Sequence, residues 1–142
     1  MKLSAIVSLV LVPAIVQGLT TSFDTVYDNA AASLATVACS DGPNGLLTRG
    51  FTTFGSLPHF PNIGGAPAVT GHGSSACGTC WQLAFKNSSG ITNTINIIAI
   101  DVATPNFNIA LGAMNKLTNN QAQQLGRVSI TATEVAASAC GL

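Results

Sequence analysis

Cys77-Gly78-Thr79-Cys80-Trp81-Gln82-Leu83-Ala84-Phe85-Lys86 is the stretch whose reading decides the fold. The Cys-x-x-Cys spacing suits a redox pair, in which the local environment lowers a thiol pKa. Such a motif belongs near a βαβ pattern, where it opens a helix after a strand. Residues 81–86 are instead β-prone, and a second β-rich run, residues 91–100, follows across Asn87-Ser88-Ser89-Gly90, a good hairpin connection. Two further cysteines, Cys39 and Cys140, are available as partners. Four cysteines then read as two structural disulfides, with three connectivities open. Zinc needs more thiolate or imidazole ligands at tight spacing, and His59 and His72 are not so arranged, so no metal and no cofactor is expected.

Disulfides require an oxidising compartment, and the N-terminus points to one. Met1-Lys2 is a short basic start, residues 3–16 are an almost uninterrupted apolar run, and Val16-Gln17-Gly18 offers a signal-peptidase site. The expectation is a secretory leader over residues 1–18, cleaved after Gly18, and a secreted, extracellular protein. A membrane anchor needs about 20 apolar residues and basic stop-transfer flanks, which Gly18-Leu19-Thr20 does not provide.

Residues 19–142 are one domain's worth, long enough for a modest core that covalent staples would help. Losing Lys2 takes the formal charge from zero to −1, with no cationic stripe, so nucleic-acid binding and docking on anionic membranes lack their electrostatic basis. Charged residues are 7% of the chain, against about 25% in ordinary domains. The surface must therefore be Ser, Thr, Asn, Gln and Gly, which suits neutral ligands such as sugars and equally suits a merely soluble protein.

Along the chain, Thr25, Tyr27 and Asn29 alternate with Val26 and Asp28 as a first strand. Asp41-Gly42-Pro43-Asn44-Gly45 is a tight turn. Residues 50–73 carry six glycines and three prolines and read as ordered loop with at most short strand pieces. Asn106 or Asn108 is placed to cap a helix carrying Ile109, Leu111, Met114 and Leu117. A second helical turn spans residues 119–125 and stops at Gly126. Residues 127–135 alternate as a last strand. Strands with small helices between them suggest a β-barrel with insertions.

Asp101 ends the apolar strand Ile95-Asn96-Ile97-Ile98-Ala99-Ile100. There a carboxylate either reaches a ligand from a barrel rim or serves as turn acceptor for the loop through Thr104-Pro105-Asn106. Asp41 carries the same two readings. Hydrolysis of a glycosidic bond needs two carboxylates. Asp24, Asp28, Asp41, Asp101 and Glu134 leave such a pair open by count. No Gly-x-Ser-x-Gly elbow is present. Trp81, Tyr27 and Phe51 are either sugar-stacking faces or core. Asn87-Ser88-Ser89 is a glycosylation sequon on the hairpin tip.

Several blocks in order give the chain a resemblance to the cerato-platanin family, small secreted fungal proteins related to the expansin barrel. They are Val37-Ala38-Cys39-Ser40-Asp41-Gly42, Gly50-Phe51-Thr52-Thr53-Phe54-Gly55-Ser56-Leu57-Pro58, Ile63-Gly64-Gly65, Cys77-Gly78-Thr79-Cys80-Trp81 and Ala99-Ile100-Asp101. Phe107-Asn108-Ile109, Ala113-Met114-Asn115-Lys116-Leu117-Thr118 and Cys140-Gly141-Leu142 complete the set. The match runs over residues 27–142.

The resemblance implies a mainly β chain with short helices, a six-stranded double-psi β-barrel with disulfides Cys39–Cys77 and Cys80–Cys140. It also implies a shallow groove for chitin-type N-acetylglucosamine oligomers, expansin-like loosening of cellulose or other wall polysaccharide without bond cleavage, and recognition by a plant receptor as an elicitor in virulence. Asp101 matches the family's groove aspartate, Asn108 the asparagine downstream of it, Ser40 and Asp41 the rim after the first cysteine, and Tyr27 a tyrosine near the mature N-terminus. Val102 departs from the family by standing where a histidine commonly follows the aspartate. His72 and Gly73 replace a common Trp-Asn, and the hairpin over residues 86–94 is longer than usual.

The expectation is a monomeric, non-hydrolytic carbohydrate binder. Replacing Asp101 should weaken binding and leave the melting temperature nearly unchanged. Two alternatives are a polysaccharide hydrolase using Asp101 and a second acid, and a hydrophobin-like surface-active wall protein.

Overall fold

In Arg127–Val135, Val128, Ile130 and Ala132 are buried while Arg127, Ser129, Thr131 and Thr133 face solvent. This two-residue period is that of a strand with one face on a core. The chain builds six strands in the computed structural model, which describes residues 16–142. They are β1 (Val16–Phe23), β2 (Ile63–Ala66), β3 (Cys80–Lys86), β4 (Thr92–Val102), β5 (Phe107–Ile109) and β6 (Arg127–Val135). All but the last three residues of the expected leader lie outside the described residues.

The strands close into a barrel in the order β1-β5-β2-β4-β3-β6. The β1–β5 and β2–β4 pairs are parallel and the others antiparallel. Closure leaves no long unpaired strand edge. This is the expected six-stranded double-psi barrel. The β3–β4 hairpin turns at Asn87, whose Oδ1 accepts from the backbone N–H groups of Ser89 and Ile91. Short helices α1 (Leu111–Thr118) and α2 (Ala122–Leu125) follow β5, and α2 stops at Gly126 as its sequence predicts. Ala113, Met114 and Leu117 of α1 are buried in one core with Leu83, Ile97, Ile100, Phe107 and Ile109.

Strand β2 shows why the glycine-rich stretch matters. Its four residues are all buried, between β5 and β4. A Cβ on Gly64 would lie 2.5 Å from the Asn108 carbonyl oxygen and 2.6 Å from Ile109 Cα. Only glycine lets β2 and β5 approach so closely.

Three local expectations are corrected. Thr25–Asp28 is a 3-10 turn and not a strand, because Asp24 caps it by accepting from Val26 N at 2.9 Å. Ile109 belongs to β5, and α1 starts two residues later. Neither Asn106 nor Asn108 caps that helix: their Oδ1 atoms accept from Thr20 N and from Ser22 Oγ. The cap comes from across the chain. Asp28 accepts from Leu111 N at 2.7 Å and from Gly112 N at 2.8 Å.

The disulfides are Cys39–Cys77 and Cys80–Cys140, the pairing implied by the resemblance. With partners 38 and 60 positions apart, each removes about 4 kcal/mol of chain entropy from the unfolded state in the loop-closure account. Among the described residues no helix is long and apolar enough to cross a membrane.

Candidate functional site

Asp101 sits near the end of β4, half-buried, directly after the buried run Ile97-Ile98-Ala99-Ile100. The β2–β4 register slips between Gly64 and Gly65, so that Gly64 pairs with Ala99 and Gly65 with Asp101. Ile100 is the extra residue of this bulge, and its carbonyl accepts from Cys39 N. Bulges re-aim side chains, and this one sets Asp101 on the outer face.

From Asp101 a single register line crosses five strands. Asp101 pairs with Gly65, Gly65 with Asn108, Asn108 with Ser22, and Ser22 with Arg127. Paired residues share a face of the sheet, so the barrel carries one outward row of carboxylate, glycine, amide, hydroxyl and guanidinium, covered at Gly65 by Val102 and Ala103. Four strand spacings make it about 19 Å long. Ser22 Oγ donates to Asn108 Oδ1 at 3.1 Å, and Arg127 Nη1 donates to Thr20 Oγ1 at 2.8 Å. A depression of about 270 Å³ lies over the Asn108–Ser22–Arg127 half, walled by Val102, Thr104, Pro105 and Asn106.

At the other end, Asp101 is held from several sides. Its Oδ2 accepts from the Tyr27 hydroxyl at 3.0 Å, and its Oδ1 accepts from Ala38 N at 3.1 Å and Val102 N at 2.9 Å. Tyr27 is 5% exposed. Burial, and then the charge and hydrogen bond of Asp101, push its phenol well above the ordinary tyrosine value. Tyr27 therefore supports Asp101 from below and offers no open ring face. Because Asp101 joins the Tyr27 turn and the Ala38 segment to β4, replacing it must also cost stability, contrary to the sequence expectation.

Ser40 and Asp41 form a different cluster. Ser40 Oγ donates to Asp41 Oδ1, and the exposed Asp41 carboxylate meets His72 Nε2. The His72 contact is the main reason the Asp41 carboxyl is held below its ordinary value. Asn44 Nδ2 donates to the Gly73 carbonyl, and Cys39–Cys77 joins the same two loops. These contacts make the cluster a clasp between loops, and it follows directly on Ala38 and Cys39, whose N–H groups donate to Asp101 Oδ1 and to the Ile100 carbonyl. Asn87 lies on the hairpin, with its Oδ1 occupied by the turn.

Trp81 is half-buried, stands edge-on to Phe107 with ring centroids 5.9 Å apart, and donates to Thr79 Oγ1. With Leu19, Pro67 and Ala68 it lines an apolar notch. Phe51 packs partly buried against the core. Among the described residues no group of three His, Cys, Asp or Glu side chains is placed to hold a metal ion.

Sequence reasoning missed Gly65, Ser22 and Arg127 as members of one row. The only signal was Arg127 on the outward phase of an alternating strand, and register cannot be read from that.

These features define a small six-stranded barrel with two disulfides and a row of polar side chains on its wall. Residues 19–142 match the family model described as Cerato-platanin. The chain belongs to the cerato-platanin family. It is 48% identical over 139 residues to the "Allergen Asp f 15 homolog" of Arthroderma benhamiae, covering 98% of this chain and 66% of that protein. The crystal structure of cerato-platanin 2 from M. perniciosa superposes with a TM-score of 0.83 at 48% identity, covering 87% of this chain and 98% of the other. The solution structure of the fungal elicitor Cerato-Platanin gives 0.72 at 34% identity, covering 86% and 96%.

Proposed function

We propose that this protein is secreted after loss of residues 1–18 and binds N-acetylglucosamine oligomers of the chitin type along the outer row, without cutting them. The observation that carries this reading is the register line from Asp101 to Arg127, a row of hydrogen-bonding groups with a depression over its Asn108–Ser22–Arg127 half. Asp101 accepts from sugar hydroxyls, Asn108 supplies amide donors and an acceptor, and Ser22 a hydroxyl. Each neutral hydrogen bond contributes about 0.5–1.5 kcal/mol, and those to a carboxylate about 1.5–3. A row without a flat stacking ring then binds in roughly the micromolar to millimolar range.

Cleavage needs a second carboxylate about 5–10 Å away, across the bond. Asp28 and Asp24 are occupied as caps, Asp41 is engaged by His72, and Glu134 stands opposite Trp81 on β6, off the row. A non-hydrolytic role follows, with expansin-like loosening as competition for polysaccharide contacts. The relative solved in solution is a fungal elicitor, and an elicitor role toward plant defence is proposed here. Among the described residues the exposed large hydrophobics are Val26, Ile91, Val102 and Leu125, on separate elements, which disfavours a surface-active film former.

The test is a chemical-shift titration with N-acetylglucosamine and glucose tetramers, with reducing ends assayed on the same samples. Shifts at Asp101, Gly65, Asn108 and Ser22 with no new reducing ends are expected. Silent spectra, or accumulating short products, would sink the reading.

A further inference from the structure

We infer that Arg127 forms a carboxylate-accepting subsite at the far end of the row, so that the groove prefers an oligosaccharide carrying a hexuronate there. This rests on the outer row being the saccharide track. Two observations carry it. First, the Ser22–Arg127 pairing brings the guanidinium into the same register line as Asn108 and Asp101. Second, Arg127, Asn108 and Ser22 line the depression, which gives a sugar-sized concavity under the cation.

Guanidinium has five N–H donors in a planar fork that matches a carboxylate. One structural hydrogen bond, to Thr20 Oγ1, orients the group and leaves the other donors free for a ligand. Among the described residues no carboxylate lies within ion-pairing distance of Arg127, and the ion pair found is that of His72 with Asp41. The row is therefore electrically polar, negative at Asp101 and positive at Arg127. A saccharide with an anionic end binds it in one direction, with its carboxylate away from Asp101. The reversed pose sets like charges together.

The experiment titrates the full protein with two β-1,4-linked probes, neutral tetra-N-acetylglucosamine and the same tetramer with a single glucuronate as its terminal sugar, at low and high salt. The wild type is expected to bind the anionic probe about three- to ten-fold more tightly at low salt, as one exposed ion pair allows. High salt should erase that margin. Arg127→Gln should equalise the two dissociation constants, and Arg127→Lys should keep part of the preference. Equal wild-type affinities, or a preference that survives Arg127→Gln, would overturn the inference and leave the neutral track standing. Binding of the anionic probe alone would uphold the subsite and overturn the neutral reading. Silence toward both probes would overturn both.

Discussion

The Tyr27 hydroxyl donates to Asp101 Oδ2 at 3.0 Å, tying together residues 74 positions apart. Burial and the neighbouring carboxylate disfavour the phenolate, so the folded protein holds this proton above the ordinary value of 10.0. In the unfolded chain Tyr27 ionises near that value. Below it the group contributes no pH dependence. As pH rises past it, the unfolded state loses the proton first and stability falls. Denaturant midpoints measured from pH 8 to 11 should therefore decline on the alkaline side. Tyr27→Phe should flatten that decline and cost about 1–2 kcal/mol at neutral pH. An unchanged alkaline slope in Tyr27→Phe would mean another group is responsible.

Asp101 is a brace, and under the proposed function it is an acceptor for the saccharide as well. Asp101→Ala strands the buried Tyr27 hydroxyl and the Ala38 N–H, which should cost about 2–3 kcal/mol and several degrees of melting temperature. Asp101→Asn keeps one oxygen and should lose less stability while still weakening saccharide binding. Thermal melts of both variants, with titrations at a temperature where each stays folded, separate the two roles. A melting temperature for Asp101→Ala equal to wild type would show that the brace contributes nothing.

Asp28 caps α1 from 83 positions away, with one carboxylate oxygen on each of Leu111 N and Gly112 N. A carboxylate there also meets the positive end of the helix dipole. Asp28→Ala should cost about 1–2 kcal/mol and speed hydrogen exchange at Leu111 and Gly112, leaving the amides of β6 little changed. Equal loss of protection in β6 would assign Asp28 a global role instead.

How much of this was legible in the residues depends on range. The β3–β4 hairpin and β6 could be read because their signals are local: turn residues and a two-residue period. The start of α1 could not, since Asp28 and Leu111 meet only through the fold. Tyr27 misled for a related reason. Its alternation with Val26 and Asp28 mimics a strand, while Asp24 folds the segment back on itself. The cysteines alone allowed three pairings, and the family resemblance picked the one that formed. Asp101 and Asn108 were singled out in sequence, but the row joining them runs through Gly65, whose part is to have no side chain. Register across five strands is a tertiary fact.

Gly65 lies buried beneath the segment that walls the depression. A Cβ there would lie 2.7 Å from Ala103 Cβ and 3.0 Å from the Val102 carbonyl oxygen. Gly65→Ala must therefore push the 102–103 segment outward, which lowers stability by about 1–3 kcal/mol, as overpacking does. Val102 and Ala103 also line the depression over Asn108, so under the proposed function the same shift should weaken saccharide binding. Adding Ala103→Gly removes the Cβ–Cβ clash and lets the segment settle back. The double variant should thus recover part of both stability and affinity, a coupling readable in a double-mutant cycle. If stability returns and affinity does not, the 102–103 wall is not what the ligand reads, and Gly65 serves only the packing of β2 against that segment.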